Sequence, residues 1–306
     1  MGIRRLHRLF RTIFKVLKGF TIERKNIIGL VICVILFCVG FVIHGNVGLY
    51  FNLAGLLIVV GGTLGATLIS FRTKRLNIVF RVLCSSYRTK IKDPEEIVEI
   101  MVDLSVKRKI RGILSLQEDE EETSLLFLRR ALGFLVDNFR GPQIRDFLNT
   151  EMYFFKIRRD ETERVLRTMA GICPAFGLVG SVVGLIGMLA GIGSTAVILA
   201  TLPIALTSTL YGIIIANFFL IPFAENIRER TYQELLLQKI IMEGVIAIDS
   251  EIKPRILERK LKSFLTPSSR RGRLVSLERI QEKFQIKPES AVPPPARRPT
   301  FKQSQA

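Results

Sequence analysis

Two long stretches without any charged side chain constrain this 306-residue sequence more than any other feature. Residues 26–71 and 169–224 contain no Asp, Glu, Lys or Arg. Because a helix needs about 20 apolar residues to cross a bilayer, each stretch is long enough for two passes. The sequence therefore predicts an all-α, polytopic membrane protein with four transmembrane helices, at about Ile27–Ile43, Val47–Phe71, Met169–Ala190 and Ala196–Ala224.

Basic residues at the ends of these stretches give their orientation. Arg and Lys cluster before the first pass, after the second, before the third and after the fourth, whereas the two short loops carry none. By the positive-inside rule, the N-terminus, the C-terminus and the long middle loop are cytoplasmic. Membrane topology thus explains the formal net charge of +18, and nucleic-acid binding is not expected.

The chain divides into six segments on this interpretation. The first has apolar residues at helical spacing between Arg and Lys, which predicts a helix lying on anionic lipid. The last is rich in Pro, Ser and Arg, which predicts disorder. The segments are residues 1–25 (basic amphipathic N-terminal helix), 26–71 (transmembrane helices 1 and 2), 72–168 (cytoplasmic helical loop), 169–224 (transmembrane helices 3 and 4), 225–266 (cytoplasmic C-terminal helix) and 267–306 (disordered basic tail).

The cytoplasmic loop carries clear helix signals. Asp93 before Pro94, with two acids in the following turn, predicts a helix start, and Gly112 is placed to end or bend that helix. Residues 117–124 form an acidic link, and further helices are predicted at 125–139 and 143–166. The dense charges of "KRKIR" (107–111) and "EDEEE" (118–122) fit either a solvated face or a docking surface for a charged partner.

The sequence contains no motif that indicates an enzyme active site or a metal site. The four cysteines form no C-x-x-C pair, two histidines are too few for a metal site, and phosphate-binding loops and hydrolase motifs are absent from the sequence. We therefore expect no enzyme activity, no metal and no cofactor other than a transported ion.

Glycines recur on one stripe of the third predicted pass. In lipid, apolar surface does not drive helices together, whereas small residues let two backbones approach closely. The stripe therefore predicts tight helix packing, either within one subunit or between subunits. Its members, with a matching glycine of the fourth pass, are Gly177, Gly180, Gly184, Gly187, Gly191 and Gly212.

Hydroxyl groups accompany this stripe. Ser181 lies on the third pass, and Thr201, Thr207, Ser208 and Thr209 lie on the fourth. An ion path across a membrane normally needs a carboxylate or its equivalent, and neither pass contains Asp, Glu, Lys, Arg or His. The chain can therefore supply only part of such a path, facing an acid that belongs to a partner.

Several of these stretches together resemble the MotA family of flagellar stators, and more distantly ExbB and TolQ. The resemblance rests on "ICPAFGLVGSVVGLIGML", "ALTSTLYGIIIANFFLIPFAENIRER", "DPEEIVEIMVDLSVKRKIRGILSLQ" and "FLRRALGFLVDNF". It covers about residues 27–255. Two predicted passes before the loop match MotA, since ExbB and TolQ have one there.

The resemblance implies a bacterial inner-membrane motor subunit. Five copies would surround two copies of a MotB-like, single-pass partner whose intramembrane aspartate accepts the ion, and the cytoplasmic loop would push a FliG-like rotor ring. Ser181 and Thr209 match positions of the ion path, and Pro174 and Pro222 match prolines that couple it to movement. Pro222 also matches the proline that ends the fourth pass.

The rotor-contact motif departs from the family pattern. Lys109 stands where an arginine is usual, and Gln117 stands where an acid is expected. Arg111 and Glu118 are the candidates to replace the usual charge pair. The departure leaves open an ExbB/TolQ-like role that energises a periplasmic linkage, and a non-conducting membrane scaffold is a further alternative. The hydroxyl pair suits a proton or a sodium ion, and we favour the proton.

Overall fold

The computed structural model describes residues 50–88 and 91–267, and every regular element in these ranges is helical. The all-helical prediction is therefore confirmed for this part of the chain. The predicted first pass, the N-terminal basic helix and the tail beyond residue 267 lie outside the described residues. The described α-helices are α1 (Leu53–Ser70), α2 (Thr73–Arg88), α3 (Pro94–Arg111), α4 (Leu116–Glu122), α5 (Leu126–Val136), α6 (Gly141–Ala190), α7 (Thr195–Ile214), α8 (Ile221–Asp249) and α9 (Pro254–Lys262).

Three helical stretches in the described ranges are long and apolar enough to cross a membrane: Leu53–Ser70, Gly141–Ala190 and Thr195–Asp249. They correspond to the second, third and fourth predicted passes. The predicted break between the last two is confirmed, since α6 ends at Ala190 and α7 begins at Thr195. Gly193 has a φ of +108° in this turn, a conformation that a residue with a Cβ rarely adopts.

The structure differs from the sequence prediction at three places. The acidic segment 117–124 is not only a link, because residues 116–122 form α4, which Leu116 anchors through a fully buried side chain. The C-terminal segment 225–266 contains α8 and α9 rather than one helix. They are separated at Lys253, which is extended before Pro254, as a residue that precedes proline usually is.

The third difference concerns Pro222, which was expected to end the fourth pass. The helix continues through it to Asp249. Directly before it, residues 215–220 form a π-helical segment, which is wider than an α-helix. Proline clashes with the carbonyl four residues earlier, and the wider turn accommodates its ring without ending the helix.

Two compact units make up the chain. The described residues of unit 1 are 50–88, 91–92 and 149–236, and those of unit 2 are 93–148 and 237–267. In unit 1, one apolar cluster joins Val59 of α1 to Ala170, Cys173 and Ala216. A second cluster joins Val79 of α2 to Val165, Leu166, Ala224 and Ile227.

Unit 2 begins with a helix that the sequence predicts well. α3 starts at Pro94 and ends at Arg111, and Gly112 follows with a φ of 82°. Asp93 occupies the predicted cap position, although its side chain makes no capping hydrogen bond. α3 packs against α9, and α4 packs against α5. Fully buried side chains on these helices and on α8 fill the core, among them Ile97, Met101, Leu132, Leu135, Ile240, Met242 and Leu257.

A buried carboxylate connects three helices of unit 2. Glu243 on α8 is 7% exposed and accepts hydrogen bonds from Arg145 of α6 at 2.8 Å and from Lys260 of α9 at 2.7 Å. Burial by itself raises the pKa of Glu243, but the hydrogen bonds from Lys260 and Arg145 outweigh it and hold the pKa below its ordinary value. The ionised carboxylate is therefore part of the folded unit.

We predict that Glu243→Gln destabilises the protein by about 1–3 kcal/mol, because Arg145, Lys260 and Lys239 lose the charge that pairs them. A carboxylate with a lowered pKa contributes stability above its unfolded pKa of about 4.5, and that contribution is lost as the pH falls through the folded value. The difference in melting temperature between the native chain and the variant, measured in detergent, should be full at pH 7 and shrink below pH 4.5.

Glu251→Gln is the matched control, since the side chain of Glu251 is 82% exposed and pairs with Arg108 at 3.5 Å. An exposed pair contributes about 0–1 kcal/mol. Equal melting temperatures of the two variants would contradict the role given to Glu243.

Candidate functional site

The glycine stripe of α6 packs against α7 of the same chain. Each of its members faces a position on the antiparallel helix, and the facing positions run in reverse order. A Cβ built on each glycine meets, respectively, Ser208 and Thr209 (Gly177), Ser208 (Gly180), Ala205 (Gly184), Thr201 (Gly187) and Val197 (Gly191). Within this chain, the stripe therefore packs α6 against α7.

The two backbones come closest at two of these positions. A Cβ on Gly184 would lie 2.6 Å from the backbone nitrogen of Ala205. A Cβ on Gly212 of α7 would lie 2.9 Å from the carbonyl oxygen of Cys173 and 3.0 Å from Cα of Pro174. Backbone atoms cannot move aside as a flexible side chain does. Any larger residue at Gly184 or Gly212 therefore forces α6 and α7 apart.

This close approach brings the two candidate ion-path hydroxyls together. Oγ of Ser181 and Oγ1 of Thr209 lie 2.5 Å apart. Ser181 also lies within hydrogen-bonding distance of the carbonyl oxygens of Ala205 at 2.5 Å and Gly177 at 3.2 Å, and Thr209 reaches the Gly177 carbonyl at 3.4 Å. Both side chains are half-buried.

The resulting site is a cluster of uncharged oxygen atoms. Two hydroxyls and two carbonyls supply lone pairs, and the hydroxyl hydrogens can also donate. Such a cluster can line the path of a proton or a sodium ion, or hydrogen-bond a carboxyl group of a partner. It cannot hold or release a proton at neutral pH by itself, because residues 169–224 contain no ionisable acid or base except Cys173 and Tyr211.

A third helix, α1, supports the antiparallel pair of α6 and α7, which is called the hairpin below. Nothing in the sequence indicated this support. Gly55 of α1 faces Oγ of Ser208, so close that a Cβ there would lie 2.7 Å from it. The Tyr211 hydroxyl of α7 accepts a hydrogen bond from the backbone N–H of Asn52 at 2.7 Å, and it bonds the carbonyl of Tyr50. The Asn52 side chain in turn accepts from the N–H of Gly55 at 3.0 Å, which caps α1.

The two candidate coupling prolines occupy different surroundings. Pro174 lies inside α6, at the point where Gly212 contacts the backbone of that helix. Pro222 is exposed and follows the π-helical segment. A proline inside a helix leaves one carbonyl without its usual partner, so each position is a place where the helix bends more easily.

The candidate rotor-contact residues lie in unit 2, and the structure separates them by their partners. Within "KRKIR", Lys107 pairs with Asp119 at 2.8 Å and with Glu118 at 3.3 Å. Burial lowers the pKa of Lys107, but these two acids raise it by more, so its charge is retained. The Arg108 side chain donates hydrogen bonds to the carbonyls of Ile248 and Asp249 and thereby caps the C-terminal end of α8.

Lys109 and Arg111 are exposed at the end of α3, and the exposed Gln117 follows on α4. Glu118 is engaged by Lys107, although its side chain is 78% exposed. Of the three candidates, Lys109 and Arg111 therefore present their charge to solvent, whereas Glu118 shares its charge with Lys107. The three candidates were grouped because they lie close together in the sequence. The structure shows that they have different surroundings, since Lys109 and Arg111 face solvent and Glu118 pairs with Lys107.

Large apolar side chains cover the outer face of the hairpin. On α6 and α7 these include Leu178, Val182, Val183, Ile186, Leu189, Leu199 and Leu206, which are 50–67% exposed. Together with the absence of charge over residues 169–224, this face suits acyl chains or other apolar helices.

Comparison with known proteins agrees with this architecture. The sequence profile of the MotA/TolQ/ExbB proton channel family matches residues 118–239. Motility protein A of Borreliella burgdorferi is 30% identical over 225 residues, which are 74% of this chain and 86% of that protein. Chemotaxis protein PomA of Vibrio alginolyticus is 28% identical over 229 residues, or 75% of this chain and 90% of that protein.

Solved structures give the same result. The flagellar MotAB stator complex of Bacillus subtilis contains a chain that superposes with a TM-score of 0.74 and 26% identity, covering 80% of this chain and 96% of that one. The chain therefore belongs to the MotA/TolQ/ExbB proton channel family, as a MotA-like stator subunit. Its family is one of channel proteins, and it is not an enzyme.

We predict that Gly184→Ala destabilises the α6–α7 hairpin by about 1–3 kcal/mol, because the added methyl group overlaps the backbone of Ala205. Gly171→Ala is the matched control on the same helix, since a Cβ there meets nothing within 4 Å. Thermal unfolding in detergent, followed by size-exclusion chromatography, measures both variants. A Gly184→Ala protein as stable as the Gly171→Ala protein would show that the two backbones are not in contact.

Proposed function

We propose that this chain, together with a MotB-like single-pass partner, couples ion-motive force to torque on a flagellar rotor. The partner would supply an intramembrane aspartate, and five copies of this chain would surround two copies of it in the bacterial inner membrane. The names of the relatives and of the solved MotAB stator complex support a motility role over an ExbB/TolQ-like one.

The observation that carries the proposal is the pairing of Ser181 and Thr209. Two polar side chains from adjacent helices lie 2.5 Å apart in a hairpin that has no carboxylate. Their oxygens can orient a carboxyl group or an ion, but the group that accepts and releases the ion has to come from another chain. A subunit of this kind conducts only in a complex with its partner.

A proton is the ion that we propose. The hydroxyl and carbonyl oxygens of the cluster suit a proton relay as well as sodium coordination. The family match adds support for the proton, since the family is described as one of proton channels.

Removing either hydroxyl should reduce ion flow. We expect Ser181→Ala and Thr209→Ala each to lower flux and swimming speed at least about fivefold, the equivalent of one hydrogen bond of about 1 kcal/mol in the conducting state. Thr209→Ser should retain most of the function, since it keeps the hydroxyl. Proton uptake into vesicles that contain the full complex, with and without sodium, measures the effect.

Thr201→Ala is the control, because the Thr201 hydroxyl donates to the Val197 carbonyl of its own helix at 2.8 Å. Normal flux in the Ser181→Ala and Thr209→Ala proteins would support the scaffold alternative. Uptake that depends on sodium would refute the choice of ion.

We propose that the exposed end of α3 is the part of the chain that contacts the rotor. We expect Lys109→Glu to reduce torque severalfold without affecting membrane insertion, because the charge that meets a FliG-like partner is reversed. Arg255→Glu on α9, an exposed cation of the same unit, should have little effect on torque. Swimming speed is measured alongside the amount of protein in the membrane. Loss of insertion in the Lys109→Glu protein would instead give Lys109 a structural role.

A further inference from the structure

Helix α2 has an outward face that none of the assigned functions uses. It begins at Thr73, only two residues after α1 ends at Ser70. Its inward side packs Val79 into the cluster with Val165, Leu166, Ala224 and Ile227. Because α1 leaves the apolar layer where α2 begins, α2 lies at the level of the membrane surface.

The contacts at its two ends show that α2 runs across α6 and α8 rather than along them. Near its start, Arg75 pairs with Glu161 of α6 at 3.2 Å. Near its end, the hydroxyl of Ser86 donates to the side-chain oxygen of Asn226 at 3.3 Å. Asn226 neighbours Glu225, which pairs with Arg167 of α6 at 2.6 Å.

The rise per residue converts the positions of these contacts into separations along each helix axis. Glu161 and Arg167 are six residues apart, which is about 9 Å along α6. Arg75 and Ser86 are eleven residues apart, which is about 16 Å along α2. Since the second distance is nearly twice the first, α2 crosses its neighbours obliquely and does not run parallel to them.

The two flanks of α2 differ in polarity. Arg75 reaches Glu161, which is farther from the apolar part of α6 than Val165 and Leu166 are, so this flank is directed away from the membrane. The opposite flank, which is directed towards the membrane, carries Phe80, and the Phe80 side chain is 70% exposed. An exposed phenylalanine at this depth suits the boundary between headgroups and acyl chains.

The outward side between these flanks carries the cations Lys74 and Arg81, together with Ile78, which is 50% exposed. α2 contains no Asp or Glu, and Lys74 and Arg81 are exposed. Within residues 50–88 and 91–267, neither of them forms an ion pair. A basic side without acids, next to an exposed aromatic ring at the membrane surface, is the arrangement that recognises anionic phospholipid headgroups.

We propose that α2 is an interfacial helix that binds anionic phospholipids, with Lys74 and Arg81 on the headgroup phosphates and Phe80 inserted among the upper acyl chains. The inference depends only on the membrane location of the chain, and it is independent of the ion path and of the rotor.

The first experiment uses the absence of tryptophan from the chain. Phe80→Trp gives the full-length protein a single fluorophore on α2, and Tyr153→Trp gives a control fluorophore that is exposed on α6 but lies sixteen residues, or about 24 Å, before Met169. Both proteins are reconstituted into vesicles of phosphatidylglycerol brominated in the upper acyl chain. We expect bromine to quench Phe80→Trp by more than half and to leave Tyr153→Trp unchanged.

Emission from Phe80→Trp that is not quenched would overturn the proposal. A blue-shifted emission without quenching would show that this face of α2 contacts a neighbouring copy of the chain. An emission at long wavelength would show that this face is in contact with water.

The second measurement does not alter Phe80. Lys74→Gln combined with Arg81→Gln should weaken the binding of phosphatidylglycerol about 25-fold, at about fivefold for each cation, whereas Lys156→Gln combined with Arg158→Gln on exposed positions of α6 should not. Lipid retained on the purified proteins is counted by native mass spectrometry. Equal retention by the two double variants would refute the binding of headgroups by α2.

Discussion

Close contact between the backbones of α6 and α7 is the constraint on which the functional part of this protein depends. Lipid gives two apolar helices no hydrophobic reason to associate, so their contact relies on dispersion forces and on the absence of side chains that would separate them. Gly184 against Ala205 and Gly212 against Pro174 meet that requirement. The same approach places the hydroxyls of Ser181 and Thr209 in contact, so the packing of the hairpin and the chemistry of the site have one cause.

The absence of charge in the hairpin has a second consequence. A carboxylate placed there permanently would have to be neutralised or desolvated at a large cost while the subunit is alone. A cluster of hydroxyl and carbonyl oxygens avoids this cost, because Ser181 and Thr209 satisfy their hydrogen bonds within the hairpin. The hairpin formed by α6 and α7 therefore folds without burying a carboxylate of its own.

Uncharged apolar stretches predicted the three spans that the described residues contain, and cap and turn residues predicted the break before Thr195 and the limits of α3. The pair of Ser181 and Thr209 was singled out by the resemblance to the MotA family and not by spacing. Sequence spacing did not predict the bond between Tyr211 and Asn52, because residues 159 positions apart leave no periodic signal. The π-helical segment before Pro222 was missed for a related reason. A proline in a sequence indicates a missing donor, but whether the helix ends or widens there is decided by the packing around it.

Charge patterns show the same limit in unit 2. The run "KRKIR" looks uniform in the sequence, yet Lys107 and Arg108 are used to hold α4 and to cap α8, and only Lys109 and Arg111 keep their charge exposed. The acid expected at Gln117 would lie next to Glu118, which already shares Lys107 with Asp119. At the proposed contact, a rotor would therefore meet the positive charge of Lys109 and Arg111 at the end of α3, with the exposed acids Glu118, Glu121 and Glu122 following on α4. Its complementary surface should be acidic there, because a partner that presents only cations would be repelled by both exposed side chains.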